Sequence, residues 1–200
     1  MFRIGVLSDT HGFFDPRIPD YFGECDEIWH AGDIGDENVI LQLNRIAPVV
    51  AVYGNIDGSF IRARFPGHQR QLREGLDIWM THIGGYPGHY DSRVRPAIST
   101  DPPGLFIAGH SHILKVIPDK KYGFLHINPG AAGRTGLHKV RTLVRFEIEG
   151  GRIGNHAEQA NPIEFKEWLT RWSAIGNFDL MLEAKGKDQA LQVLMEKEKS

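Results

Sequence analysis

Apolar runs along this chain repeatedly end on polar turns marked by glycine. Phe2–Leu7 is rich in branched residues and stops at Ser8-Asp9-Thr10-His11-Gly12, the way a buried strand ends. The pattern recurs where residues 27–31 run into Gly32-Asp33 and residues 49–53 into Gly54-Asn55-Ile56-Asp57. Residues 77–80 likewise reach Thr81-His82, residues 105–108 reach Gly109-His110-Ser111-His112, and residues 124–127 reach Asn128-Pro129-Gly130. These are six predicted strands, and the first five each deliver Asp, Asn or His where they stop. Residues 69–73 turn at Glu74-Gly75 into the fourth run, a hairpin. Residues 142–148 alternate and predict a late strand closed by Gly150-Gly151. Between strands, Val39, Ile40, Leu43 and Ile46 share one face of a helix over residues 36–46 that Asp36 can cap. Residues 91–99 read as a second helix, with Pro96 breaking its interior. Strands alternating with helices, plus hairpins, predict an α/β architecture with mixed sheets.

The pattern changes near residue 156. Asn161-Pro162 suits a helix start, Phe165, Trp168, Leu169 and Trp172 fall on one helical face, and Gly176 can stop the helix. A second helix is expected from about Asp188, with Leu191 and Leu194. The chain therefore divides into a domain over residues 1–155 and a C-terminal helical extension over 156–200. The tryptophan stripe packs on its own domain, or docks on another copy to give a homo-oligomer, or on a different partner.

Composition narrows the chemistry. One cysteine, Cys25, excludes an intramolecular disulfide framework and zinc sites built from several thiolates. Ten histidines leave any metal to nitrogen and oxygen ligands. The net charge of −2 gives no nucleic-acid signal, and no polybasic run or long apolar stretch points to a membrane. A cytoplasmic protein is the expectation. The first 60 residues nevertheless hold three basic and ten acidic side chains, which fits carboxylates placed beside bound cations.

The chemistry-bearing residues at the strand ends are Asp9, His11, Asp33, Asn55, His82, His110 and His112. Asp-x-His and His-x-His place two side chains on one side of an extended segment. Any one of these residues is an ordinary turn or core residue. Together, each ending a separate strand, they form a pattern.

That pattern resembles the calcineurin-like metallophosphoesterase superfamily, from Arg3 to about Gly150. The matching stretches are Asp9-Thr10-His11, Gly32-Asp33-Ile34-Gly35-Asp36, Gly54-Asn55-Ile56-Asp57, His82 and Gly109-His110-Ser111-His112. The short chain, His30 before Gly32-Asp33, and Asn128-Pro129-Gly130 look most like the small bacterial and archaeal phosphodiesterases. The resemblance implies two facing mixed β-sheets flanked by helices, an αββα sandwich. It implies one divalent ion on Asp9, His11, Asp33 and His112, and a second on Asp33, Asn55, His82 and His110, with Asp33 bridging. Manganese is the expected metal; iron, zinc, nickel and cobalt suit the same ligands. A hydroxide bridging the pair would attack phosphorus in line. Asp33, Asn55 and Asp57 would carry the catalysis, and the substrate would be a small phosphate ester, a nucleotide among the options.

Two positions depart from the superfamily pattern. Larger members carry His after Gly-Asn as a proton donor to the leaving group, where this chain has Ile56. Asp57 is kept, and members without that His tend toward diesters or activated esters. Small relatives usually read Thr-His-Gly-His where this chain has Thr81-His82-Ile83-Gly84. His89 in the following loop and Arg134 are candidate substrate contacts. Arg62, Arg64, Arg70 and Arg73 are expected on a solvated hairpin surface rather than as a basic patch for nucleotide phosphates, His30 and His126 packed or hydrogen-bonded in strands, and His68, His138 and His156 at the surface. The alternatives are a phosphomonoesterase and an interaction scaffold, the role of the retromer subunit with this fold. That subunit has lost part of the ligand set, whereas all seven positions are present here.

Overall fold

The computed structural model describes residues 1–154 and the strand Leu180–Lys185. In chain order the elements are β1 (Phe2–Leu7), α1 (Ile18–Phe22), β2 (Glu27–His30), α2 (Glu37–Leu43), β3 (Val49–Ala51), α3 (Ser59–Arg64), β4 (His68–Arg73), β5 (Leu76–Thr81), β6 (Gly85–Tyr86), β7 (His89–Tyr90), α4 (Arg95–Thr100), β8 (Leu105–Ala108), β9 (Leu114–Asp119), β10 (Phe124–Pro129), β11 (Arg141–Glu149), β12 (Arg152–Gly154) and β13 (Leu180–Lys185).

Two mixed sheets result. The first runs β12-β11-β1-β2-β3, with β1, β2 and β3 parallel and β11 antiparallel to β1. The second runs β4-β5-β8-β10-β9, with β5, β8 and β10 parallel and an antiparallel strand at each edge. Alternation along the strands builds three apolar layers. Ile4, Val6 and Trp29 from the first sheet meet Ile78, Ile107 and Ile127 from the second between the sheets. Leu7 and Ile28 face the other way, onto Phe22 of α1 and Val39 and Leu43 of α2. Phe106 and Phe124 face outward from the second sheet, onto Val94 and Ile98 beside α4. This is the expected αββα sandwich. Gly5 shows how tightly α1 lies on its sheet, since a Cβ there would sit 2.7 Å from the Phe22 ring. Among the described residues no helix is long and apolar enough to cross a membrane.

Four local details differ from the sequence expectation. Helix α4 begins at Arg95, so Pro96 lies in its first turn, where its missing N–H breaks no helical bond. Strand β9 was hidden by Pro118, which a sheet edge tolerates. The short helices α1 and α3 carry too few periodic positions to read. Residues 180–185, inside the expected helical extension, run as a strand paired with β11 beside β12. The helices expected at 161–176 and from about 188, and His156, lie outside the described residues.

His30 and His126 are fully buried in the sheets. Burial pushes the His30 pKa down to about 4 and that of His126 down to about 3. The unfolded chain takes up the same protons near 6.5. Each therefore contributes stability that is full above about 6.5 and is lost as the pH falls toward its folded value. A His126→Phe variant has no proton to take up there. Its urea-unfolding stability is expected to fall less steeply than wild type between pH 6.5 and 4; parallel curves would contradict this.

Candidate metal centre

All seven strand-end residues sit on turns that leave a strand. Asp9 and His11 follow β1, Asp33 follows β2, Asn55 follows β3, His82 follows β5, and His110 and His112 follow β8. The two sheets bring these turns together at one end of the sandwich. Ligand atoms of Asp9, His11 and His112 lie within 4.8 Å of one another, as do those of Asp33, His82 and His110. Each triad draws on both sheets, so the sandwich must close before either exists.

Asp33 stands between the triads. Its Oδ2 is 3.9 Å from His11 Nε2 and its Oδ1 is 3.2 Å from His82 Nε2. The Ile56 N–H donates to Oδ1 at 3.1 Å and fixes the carboxylate. On the other side, Asp9 Oδ1 lies 3.2 Å from His112 Nε2, while Asp9 Oδ2 accepts the His110 N–H at 3.1 Å. Gly54 lets its loop approach this closely, because a Cβ there would fall 2.0 Å from Asp33 Oδ1.

The backbone is bent to reach this arrangement. Asp9, His11, Asp33, His110 and His112 all take left-handed φ angles, from 48 to 69°. Such positions cost about 1–3 kcal/mol each and persist where the surroundings impose them. Here cross-strand bonds do so: Asp9 N–H to Gly32 O at 3.0 Å, His11 N–H to Asp33 O at 3.0 Å and Gly12 N–H to Ile34 O at 2.7 Å.

The donor set suits divalent cations. His82 Nδ1–H donates to Ala31 O at 2.8 Å, so its Nε2 turns a lone pair toward Asn55 Oδ1 at 3.1 Å and Asp33 Oδ1 at 3.2 Å. In that neutral tautomer three acceptors converge, a set that a cation satisfies. His11 Nε2 and His112 Nε2 also face each other at 3.4 Å, beside Asp9 Oδ1, which is buried and accepts no directed hydrogen bond. Imidazole with carboxylate is the ligand set of manganese, iron and zinc. Burial pushes the His82 pKa down, but its Asp33 hydrogen bond and the charges of Asp9 and Asp33 leave it raised. The Asp9 carboxylate beside it raises His112. Burial pushes the Asp33 carboxyl up, yet His82 and the Ile56 N–H hold it below the ordinary value.

Residues 2–151 match the calcineurin-like phosphoesterase superfamily domain. The chain belongs to this superfamily. A probable metallophosphoesterase of Methanothermobacter thermautotrophicus is 27% identical over 157 residues, covering 75% of this chain and 88% of the relative. Among solved structures, Vps29 of Chaetomium thermophilum aligns with a TM-score of 0.63 at 17% identity, covering 75% of this chain and 84% of that one. A structure described as a novel archaeal phosphodiesterase aligns at 0.56 and 23%, covering 76% and 96%. These two show the fold.

Around the centre of this calcineurin-like phosphoesterase, other residues fall differently from expectation. Asp57, expected to act in catalysis, is 3% exposed and gives both oxygens to the backbone. It accepts Ile34 N–H at 3.1 Å, Gly35 N–H at 2.7 Å and Gly54 N–H at 2.7 Å. It ties the Asp33 turn to the Asn55 turn and has no oxygen to spare. Arg62 is exposed, as expected, but its guanidinium is committed to its own loop. It donates to the carbonyls of Asp57 (2.6 Å), Gly54 (2.9 Å) and Asn55 (3.1 Å) and lies 4.4 Å from the Tyr53 ring, clamping the Asn55 loop. Arg64, Arg70 and Arg73 pair with Glu37, with Asp77 and Asp101, and with Glu27. His138, expected at the surface, is half-buried with its ring 5.3 Å from that of His112, and donates from Nε2 to Gly133 O at 3.1 Å.

The two candidate substrate contacts separate. His89 lines a cleft that His110 also lines. Arg134 stacks 4.0 Å from the Phe13 ring and lines neither that cleft nor the one beside Asn55 and His82. His30, expected to be packed or hydrogen-bonded, is buried and accepts the Gly32 N–H at 3.2 Å while its Nε2 donates to Thr10 Oγ1 at 2.9 Å. Thr10 in turn donates to Ile34 O at 3.0 Å, which braces the Asp33 turn. Neither Arg62 nor His138 lies in a motif, so only the tertiary fold reveals them.

Proposed function

We propose that the protein is a metal-dependent phosphodiesterase with a dinuclear centre acting on a small phosphate ester. The observation that carries this reading is Asp33, whose two oxygens face opposite triads. One ion would be held by Asp9, His11, Asp33 and His112, and the other by Asp33, Asn55, His82 and His110. When bound, two such ions supply Lewis acidity and an activated water at neutral pH. Manganese is the first metal to test. The carboxylates of Asp9 and Asp33 offset only part of the ions' charge, so the site retains a positive field for a phosphate anion. Asn55 presents a neutral oxygen, which binds without cancelling that field.

The preference for diesters rests on Ile56. It occupies the position after Gly54-Asn55 and is 47% exposed, yet it holds no proton to give a basic leaving group. Esters whose own leaving oxygen departs without a proton are therefore favoured, and superfamily members without that donor tend toward diesters or activated esters. One manganese-loaded preparation should hydrolyse bis(4-nitrophenyl) phosphate about tenfold or more faster, in kcat/KM, than 4-nitrophenyl phosphate. Chelation should abolish both activities. Faster monoester turnover would replace this reading with a phosphomonoesterase, and rates unaffected by chelation would remove the metal from it.

A further inference from the structure

A cleft of about 200 Å³ adjoins the metal centre, lined by Tyr86, His89, His110, Lys115 and His126 among others. Strand β10 turns Leu125 and Ile127 into the inter-sheet core. Phe124, His126 and Asn128 therefore face the opposite side of the second sheet, where the β6–β7 hairpin runs. His126 is fully buried, and neither ring nitrogen has a hydrogen-bond partner among the described residues. Its ring packs 5.9 Å from that of Phe106. The ring is neutral at pH 7, so it offers one N–H donor and one lone pair, both unused. Leaving such groups unmet costs about 1–3 kcal/mol, a cost that native structures keep where a ligand or water meets it. Tyr86 is 37% exposed and angled at 48° to His89, with ring centroids 5.1 Å apart. The Lys115 ammonium sits 3.5 Å from the Tyr86 ring centroid.

We propose that this cleft is the subsite for one ester arm of the substrate, and that it takes a flat heteroaromatic group of the nucleobase type. The proposal rests on the phosphodiester reading of the metal centre. His110 belongs both to a ligand triad and to the cleft wall, so a phosphate held at the centre directs an arm toward this space. An alkyl arm would leave the His126 donor and acceptor unmet. A nucleobase edge carries both donors and acceptors, so it can meet a His126 nitrogen in either tautomer, and its faces stack on tyrosine and histidine rings.

Two substrates with the same 4-nitrophenolate leaving group separate the subsite from the metal chemistry. Thymidine 5′-(4-nitrophenyl phosphate) carries a base on its other arm, and methyl 4-nitrophenyl phosphate carries none. Wild type is expected to favour the thymidine ester by about tenfold or more in kcat/KM. His126→Phe keeps a ring and removes both nitrogens. It should remove that preference while leaving the methyl ester within about twofold, and Tyr86→Ala should act in the same direction. Equal wild-type rates on the two esters, or a His126→Phe effect equal on both, would overturn the subsite. A second readout needs no turnover: thymidine titrated into the protein should shift the His126 imidazole resonances saturably. A saturable shift with no hydrolysis of either diester keeps the subsite and removes the phosphodiesterase reading. Hydrolysis of both diesters with no shift removes the subsite alone.

Discussion

Asp33→Asn is expected to lower kcat/KM on the order of a thousandfold, equivalent to about 4 kcal/mol of transition-state stabilisation, while the protein stays folded. The carboxylate has two functions that one amide cannot fill. Its Oδ2 faces His11 and its Oδ1 faces His82, so both triads use it. Asparagine can present one oxygen to Ile56 N–H and to the His82 side. It then turns an uncharged NH₂ toward His11, where an ion cannot bind. Asparagine is also the right control for the backbone, because Asp33 sits at a φ of 54° that asparagine tolerates and alanine does not. Asp33→Ala would add about 1 kcal/mol of strain and confuse the two effects. Circular dichroism should show wild-type secondary structure in Asp33→Asn. Turnover within tenfold of wild type would show that the second oxygen is not a ligand.

Asp57→Ala is expected to act on stability first, costing about 3 kcal/mol or more. Three buried or half-buried N–H groups, from Ile34, Gly35 and Gly54, lose their acceptor at once. Asp57→Asn keeps one oxygen and should cost less. In both variants activity falls because the turns carrying Asp33 and Asn55 are no longer tied together. The shape of the pH–rate profile should be unchanged, since Asp57 holds no proton for the reaction. Urea unfolding and a pH–rate series on the same preparations separate the roles. Wild-type stability with the loss of one limb of the profile would return Asp57 to the reaction as an acid.

The legible part of this protein is the part where local and global demands coincide. Each buried strand must end, and here β1, β2, β3, β5 and β8 end on glycine turns that carry candidate metal ligands. Asp9, Asp33 and His110 could therefore be found without knowing the fold. The sequence does not reveal that the ligands themselves are strained. Glycine beside them reads as the flexible residue, whereas Gly32 and Gly54 are small mainly to let His82 and Asp33 pass at under 3 Å from where a Cβ would be. Arg62, His126 and His138 escaped for a related reason. Arg62 holds backbone carbonyls of its own loop, His138 meets His112 from another turn, and His126 has no hydrogen-bond partner among the described residues, none of which leaves a mark on periodicity. Strand β9 was lost to Pro118, a residue that an edge strand tolerates and a central strand does not. Asp57 shows the limit of a motif, because a carboxylate beside a candidate ligand fits acid chemistry as readily as it fits the anchoring of a loop.

The central claim is that one carboxylate joins two ions. It is tested most directly by counting metal bound per chain after manganese loading and removal of free ion, in wild type and in Asp33→Asn. Two ions are expected per wild-type chain and no more than one in the variant. One ion in wild type, or two in both proteins, would contradict it.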